Sequence, residues 1–475
     1  MRTVEALYLE ERPRPSDVSW RKFGRGVLRF FLFAVLLVGL VPFGATGPFA
    51  MPIMGLFAAS AALLSLPLGH PGRRTRLLEL LAILVGGGLC FYAMLQATGY
   101  GAVLAPHPVW AEASAVLGRP LDAVASIAPS LTYSSLSVLL APFLMFVAGL
   151  RACGNDEDAL AILRALALIG GGVAFFGVIQ FAVAPSSLLL VEKTAYLDSL
   201  TAVFVNRNSA ATYLGGTALL ALALIRHELR GIGLRASLSA IVAPARRVRR
   251  NWWLLVYLGV LGFALLALLQ TKSRAGLACS GLGILAFVTI VAFRKGRRRA
   301  VLGSFGALIL GSLALGALVA VFGRQTWYRI EVKGLDDARF CVFPNIWEAA
   351  RAAWPVGTGL GTFELVFPAY RDPACGIYEV WDRAHNFFLE GMIVLGAAFW
   401  AALAATLAIL VGVFLFGLRR RRRLRFAPAL GLAMLLLLVA HDTLDFSLQI
   451  PGIALNAALL FAACCAISLR RRVAA

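Results

Sequence analysis

Charge is scarce in this sequence. Only 15% of its residues are Asp, Glu, Lys or Arg, while 60% are hydrophobic. A soluble protein of 475 residues carries more charge and shorter apolar runs, so an ordinary soluble domain is excluded. The seven cysteines fall in no CxxC or metal-ligand spacing, which removes zinc ribbons and thioredoxin-like redox motifs from consideration. No internal repeat is evident, and transporters built from repeated halves usually leave one. No cleavable signal peptide is evident either. The basic stretch follows a long polar tail, and the first apolar run leads straight into a second.

Long apolar runs fill the space that charge vacates. Runs of about 20 residues recur from Val27 to the C-terminus, each long enough to cross a hydrocarbon core as a helix. Such segments must be helical, because lipid offers their backbone groups no hydrogen-bond partner. The expected fold class is therefore an all-α polytopic membrane protein with about twelve spans. These are Val27–Val41, Pro48–Leu68, Leu77–Thr98, Leu131–Leu150, Leu160–Val183, Asn206–Ile225, Trp252–Leu269, Ala275–Phe293, Ala300–Phe322, His385–Phe416, Ala427–Ala440 and Gly452–Leu469. Residues 1–26 and 470–475 form cytoplasmic tails, 27–322 carry nine spans, 323–384 form a large external loop, and 385–469 carry the last three.

The formal charge of +21 invites a nucleic-acid reading, and position argues against it. About 33 of the 45 Lys and Arg fall in the tails and alternate short loops, among them Arg73-Arg74, Arg246 to Arg250, Arg294 to Arg299 and Arg419 to Arg425. That is the positive-inside bias of a membrane protein, and such turns also meet anionic headgroups of membrane lipids. No nucleic-acid partner is expected.

With this topology Arg207, Lys272, Arg274, Arg339, Arg371, His385, His441, Asp442 and Asp445 all lie at the external ends of helices or beyond them. For a single such arginine, snorkelling to the headgroups is the simpler account. Several together suit a phosphate or diphosphate, because the guanidinium fork offers paired donors and keeps its charge. His385, paired with Asn386 at a helix start, suits work as a general base or an anchor for a loop carbonyl. His441, Asp442 and Asp445 read either as part of the site or as an interfacial cap. Glu390, inside a span, requires a partner, either a Lys or Arg of the bundle or a substrate.

The external loop also holds Arg351, Cys341 and Cys375. In an oxidising compartment the two cysteines either pair, closing a loop of roughly 35 residues, or stay free. The run Gly357-Thr358-Gly359-Leu360-Gly361 follows no βαβ strand, so it reads as a flexible turn and not a nucleotide loop. Pro344 to Trp354, with Ile346, Trp347, Ala350 and Trp354 on one face, reads as an amphipathic helix over the membrane.

Four stretches, taken in order, resemble one family. They are Phe204-Val205-Asn206-Arg207-Asn208, Thr271-Lys272-Ser273-Arg274-Ala275-Gly276, the Arg339…Trp347…Pro355-Val356-Gly357-Thr358-Gly359 segment leading to Ala384-His385-Asn386, and His441-Asp442-Thr443-Leu444-Asp445-Phe446. Their order and placement are similar to the bacterial O-antigen ligase and polysaccharide polymerase superfamily. The likeness runs from about Thr201 to Pro451; the first half of the chain matches only as spans.

The resemblance implies a C-type membrane glycosyltransferase of the bacterial inner membrane that needs no metal or other cofactor. Its donor would be a glycan on undecaprenyl diphosphate, and its acceptor lipid A-core in a ligase or another lipid-linked repeat unit in a polymerase. The family's essential groups fall on Arg274, Arg339 and His385 as catalytic residues. Arg207, Lys272, Arg371, Asn386, His441 and Asp442 would bind diphosphate or glycan. The Asn206–Asn208 and His441–Phe446 stretches lean toward the polymerases. The alternative is a lipid-linked glycan flippase or another secondary transporter, which predicts charge near the bilayer midplane and a pseudo-repeat.

Overall fold

The computed structural model describes residues 15–47, 49–70, 72–99, 103–230, 252–292, 338–375 and 380–470, with side chains described from residue 20 and, in the external loop, from residue 341. Eleven of the twelve expected spans are helices within these residues. The span expected at Ala300–Phe322 and the basic runs 246–250 and 294–299 lie outside the described residues.

The long helices are α1 (Pro15–Leu40), α2 (Ala50–Ser65), α3 (Arg73–Ala97), the short external α4 (Val109–Leu117), α5 (Pro129–Ala152) and α6 (Asp156–Val183). A two-residue hairpin, β1 (Ser187–Leu188) with β2 (Val191–Glu192), follows. Then come α7 (Arg207–Glu228), α8 (Trp252–Gln270), α9 (Arg274–Ala292), α10 (Ala338–Ala352), the single turn α11 (Phe363–Val366), α12 (Phe387–Arg420), α13 (Phe426–Asp442) and α14 (Pro451–Leu469). Ten of these are long and apolar enough to cross a membrane, and α13 is a shorter apolar helix. The protein is an all-α polytopic membrane protein.

Two boundaries move. The first helix begins at Pro15, so residues 15–26, expected in a flexible tail, extend the first span instead. The gap left between the expected spans ending at Leu150 and starting at Leu160 shrinks to residues 153–155, because Asn155 caps α6 by accepting from the Asp158 amide at 2.8 Å.

α7 and α14 are almost wholly buried at the centre of the bundle. Both are rich in Ala and Gly, and small residues let helix backbones approach closely in lipid. A Cβ on Gly215 of α7 would lie 1.8 Å from the Ser280 hydroxyl of α9, so that approach depends on glycine. α7 packs on α8, α9 and α13; α14 packs on α5, α12 and α6.

The two ends of the bundle differ. At one end arginines from several loops meet the carboxylates that begin α6. Arg29 pairs with Asp158, Arg421 pairs with Asp156, and Arg470 lies 3.5 Å from Asp156 while donating to the Cys153 carbonyl at 2.8 Å. This is the basic end. The external segments 103–128, 184–206, 338–375 and 380–386 and the 443–450 turn gather at the other.

Helix α12 is broken. Gly396 sits at φ 57°, ψ −136°, and the chain on either side is helical. The backbone groups this break releases find partners in the glycine run. The Thr358 amide donates to the Ile393 carbonyl at 2.9 Å, and Gly359 to Val394 at 3.0 Å. In return Ala397 donates to the Pro355 carbonyl at 2.8 Å. Gln96 of α3 bridges the Val356 and Val394 carbonyls at 2.8 and 3.0 Å, and the Tyr92 hydroxyl donates to Val356 at 2.7 Å. The expectation of a flexible turn at Gly357–Gly361 is therefore corrected. Gly357, Thr358 and Gly359 are buried, and they form a strap that satisfies a broken helix in the bundle.

The amphipathic helix expected over residues 344–354 falls mostly within α10. Val342, Ile346, Ala349 and Ala350 are buried, whereas Trp347 and Trp354 are 49% and 48% exposed. Residues 342, 346, 349 and 350 follow helical spacing, while Trp354 lies beyond the helix end. Cys341 and Cys375 form a disulfide that closes this segment.

Candidate active site

The external end of the bundle holds two groups of polar side chains. The first is built where α7 and α9 begin. Asn206 caps α7, accepting from the Asn208 amide at 2.7 Å, which places Arg207 as the first helical residue. Asn208 then turns inward and accepts from the Ser273 hydroxyl at 2.8 Å. This buried bond ties the α7 start to the α8–α9 turn, where Lys272 adopts φ 54° and Arg274 opens α9. Arg207, Lys272 and Arg274 are thereby held on adjoining helix ends. Helix N-termini carry partial positive charge, so this corner is electropositive from its backbone as well as its side chains.

The 184–206 segment covers that corner. Arg207 stacks over the Tyr196 ring at 5.2 Å and donates to the Ser199 hydroxyl at 3.4 Å. Lys272 lies 3.4 Å from Asp198. Lys193, which the sequence did not single out, donates to the Ser199 carbonyl at 3.1 Å. Burial pushes its ammonium pKa below the ordinary lysine value.

The second group is built where α12 begins and α13 ends. His385 takes φ 50° immediately before the helix and lies between the edges of Trp381 and Phe446. Its Nδ1 is 3.5 Å from Oδ1 of the buried Asp445. Asn386 is the helix cap: its Oδ1 accepts from Phe388 and Leu389, and its Nδ2 donates to the Thr443 carbonyl at 2.9 Å. The Asp445 carbonyl accepts from the Phe387 amide at 3.1 Å. His385 and Asp445 are thus fixed on one rigid junction.

His441 and Asp442 are fully buried. Asp442 accepts from the Leu448 amide at 2.9 Å, which is a capping contact inside the turn. His441 Nδ1 lies 3.2 Å from the Ser447 hydroxyl, and Ser447 donates to Thr212 of α7 at 3.0 Å. Thr212 is one turn below Asn208. A run of hydrogen bonds therefore leads from Ser273, the neighbour of Arg274, through Asn208 and Thr212 to Ser447, on the turn that carries Asp445.

The other expected residues stand differently. Arg371 follows a short 3-10 turn, Phe367–Tyr370, and among the described residues no hydrogen bond or ion pair joins it to either group. Stacked and tilted rings (Phe363, Phe367, Trp381) lead from that side to His385. Arg339 falls in the first turn of α10, and its side chain lies outside the described residues. Glu390 has a partner in the protein: it lies 3.3 Å from Arg383 and accepts from the Ala384 amide at 2.8 Å. Asp198, Asn208, Ser273 and Ser447 carry the network and were not chosen from sequence. Asp198 is the one charged residue between Lys193 and Arg207, and that is its one signal. The three others are small polar residues that belong in any membrane helix or turn.

Beside the second group a cavity of about 390 Å³ opens into the bundle. Arg383, Glu390 and Gln449 line it along with Ser135 and Thr406, and the rest of its wall is mostly apolar side chains of α3, α5, α12, α13 and α14. Among the described residues, no group of three or more His, Cys, Asp or Glu is placed to hold a metal ion.

These features define a class: a polytopic helical membrane protein with cationic helix ends, a carboxylate-backed histidine and an apolar chamber at one end. The family model described as O-antigen ligase matches residues 259–404, from within α8 to within α12. That match supports the O-antigen ligase and polymerase superfamily for this chain, and with it a membrane glycosyltransferase of the ligase or polymerase type. None of the curated proteins compared matches the chain. The matched stretch contains Lys272, Arg274, Arg339, Arg371, His385 and Asn386; Arg207, His441 and Asp442 lie outside it.

Proposed function

We propose that the protein transfers a glycan from undecaprenyl diphosphate to an acceptor hydroxyl. The acceptor is a lipid-linked repeat unit if the enzyme is a polymerase, or lipid A-core if it is an O-antigen ligase. One observation carries this reading: a chain of buried hydrogen bonds, Ser273 to Asn208, Thr212 to the Asn208 carbonyl and Ser447 to Thr212, ties the helix starts that carry Arg207 and Arg274 to the turn that carries Asp445, the partner of His385. Leaving-group stabilisation and acceptor activation require those two functions side by side.

The chemistry follows from the geometry. Asp445 beside Nδ1 orients the His385 ring, leaving Nε2 for the acceptor. As the acceptor oxygen bonds to the anomeric carbon, its proton passes to His385. The bond from that carbon to the phosphate oxygen breaks, and the electron pair leaves with the diphosphate. Arg207, Lys272 and Arg274, with Arg339 from the matched family segment, would meet the charge that develops there. These cations take the part that a divalent metal plays in many transferases, so the reaction is proposed to be metal-independent. Arg371 and His441 would contact glycan or shape its site, while Asn386 and Asp442 act by holding the turn.

The site end is proposed to face the periplasm of a bacterial inner membrane. The basic loops at the opposite end favour a cytoplasmic position there, and the Cys341–Cys375 disulfide suits an oxidising compartment. The apolar chamber beside Arg383 and Glu390 suits a lipid-borne substrate.

The test is complementation of a strain lacking the gene with His385→Ala, Arg274→Ala and Arg339→Ala, each compared at equal membrane expression. Loss of polymer or of capped lipopolysaccharide from all three is expected. Accumulation of single repeat units identifies a polymerase; intact lipid-linked chains without attachment identify a ligase. Wild-type product from all three variants would overturn the assignment and favour a transporter.

A further inference from the structure

A second pocket lies at the basic end, far from the proposed active site. Its cavity of about 40 Å³ is lined by Arg226, His227 and Arg230 from the end of α7 and by Arg422, Arg423 and Arg425 from the loop between α12 and α13. Val291 of α9 and Phe426 of α13 complete the wall. None of these lining residues is acidic. The nearby carboxylates are few: Glu228 follows His227 in the chain and lies 3.2 Å from Arg164, and Asp156 meets Arg421 and Arg470.

Gathering five arginines around one cavity costs electrostatic energy unless an anion offsets it. The last turn of α7, where carbonyls point outward, accounts for Arg226 and His227. The positive-inside bias explains why the three loop arginines lie at this end, and leaves open why they line one cavity with Arg226 and Arg230. The loop arginines stand at the N-terminus of α13, which begins at Phe426 with no side-chain cap. An uncapped helix N-terminus offers backbone N–H donors and partial positive charge to an anion. Arginine forks and a helix N-terminus therefore line the same cavity, and both suit a phosphate.

The position favours a lipid as the carrier of that phosphate. The pocket sits where α7, α9 and α13 reach the membrane boundary, and Val291 and Phe426 give an apolar wall beside the charged one. We propose that this pocket binds the phosphate of an anionic phospholipid in the leaflet at the basic end. The lipid joins α7 to the α12–α13 loop, which Arg230 already contacts by donating to the Arg422 carbonyl.

The test uses the full chain in detergent micelles, with bound lipid read by native mass spectrometry. Dioleoylphosphatidylglycerol, dioleoylphosphatidylcholine and inorganic phosphate are titrated separately. The wild type should retain the phosphatidylglycerol in preference to the phosphatidylcholine. Arg226→Gln with Arg423→Gln should weaken that preference by about thirtyfold, the effect of two arginines at a membrane surface. Arg226→Lys with Arg423→Lys should keep most of it, and both pairs should elute as the wild type does on size exclusion. Equal retention of the two lipids by the wild type, or undiminished retention by the Gln pair, would overturn the site. A thermal shift with inorganic phosphate and no preference between the lipids would overturn the lipid as occupant and assign a free anion.

Discussion

Replacing Gly396 by alanine tests the strap and the broken helix together. A Cβ at this position would lie 2.0 Å from the Pro355 carbonyl oxygen and 2.6 Å from its carbon. The backbone at φ 57°, ψ −136° is one that L residues rarely adopt, a strain of about 1–3 kcal/mol. Moving Pro355 away removes the 2.8 Å bond from Ala397 and leaves a buried amide unpaired, about 1–3 kcal/mol more. The expected loss is about 4 kcal/mol, or roughly a thousandfold in the folded population. Gly412, later in the same helix, has open space where its Cβ would go, so Gly412→Ala should stay within about 1 kcal/mol of wild type. Both variants are purified in detergent and compared by size exclusion and thermal melting. If Gly396→Ala melts with Gly412→Ala, the strap does not hold the helix and the reasoning is wrong.

Two further outcomes follow from the site and its loop. Asp445→Asn keeps an oxygen for the Phe446 amide but removes the charge beside His385, so the protein should insert normally while product per inserted enzyme falls at least about tenfold; unchanged product would show that His385 works without its carboxylate. Cys341→Ser with Cys375→Ser opens a link across a separation of 34 residues, a loss of about 4 kcal/mol by chain entropy. Limited proteolysis should then cut between residues 341 and 375 under conditions that spare the wild type, and each single variant should behave like the pair.

The spans were legible because apolar length is a local property. The boundaries that moved did so through local polar chemistry, as with the Asn155 cap that tightens the α5–α6 turn. The break at Gly396 could not be read, since its sequence is an uninterrupted apolar run and its cause lies about 40 residues away in the strap. The same distance misled the reading of Gly357–Gly361, where glycines signal a turn by themselves and close backbone approach only beside a partner. Of the site, the charged members stood out against an apolar background. Ser273, Asn208, Thr212 and Ser447, which bring them together, did not, because small polar residues in membrane helices more often bond within their own helix.

Loops are often exchanged between related membrane enzymes to move specificity from one to another. Here the obvious cut points, at the membrane boundary on either side of residues 338–375, would be the wrong ones. A donor loop that did not supply backbone amides at 358 and 359 would leave the Ile393 and Val394 carbonyls without partners inside the bundle. A workable graft has to carry residues 355–362 together with the 393–397 bend, and its host must offer the counterparts of Tyr92 and Gln96. The unit of exchange in this protein is a loop plus half a helix.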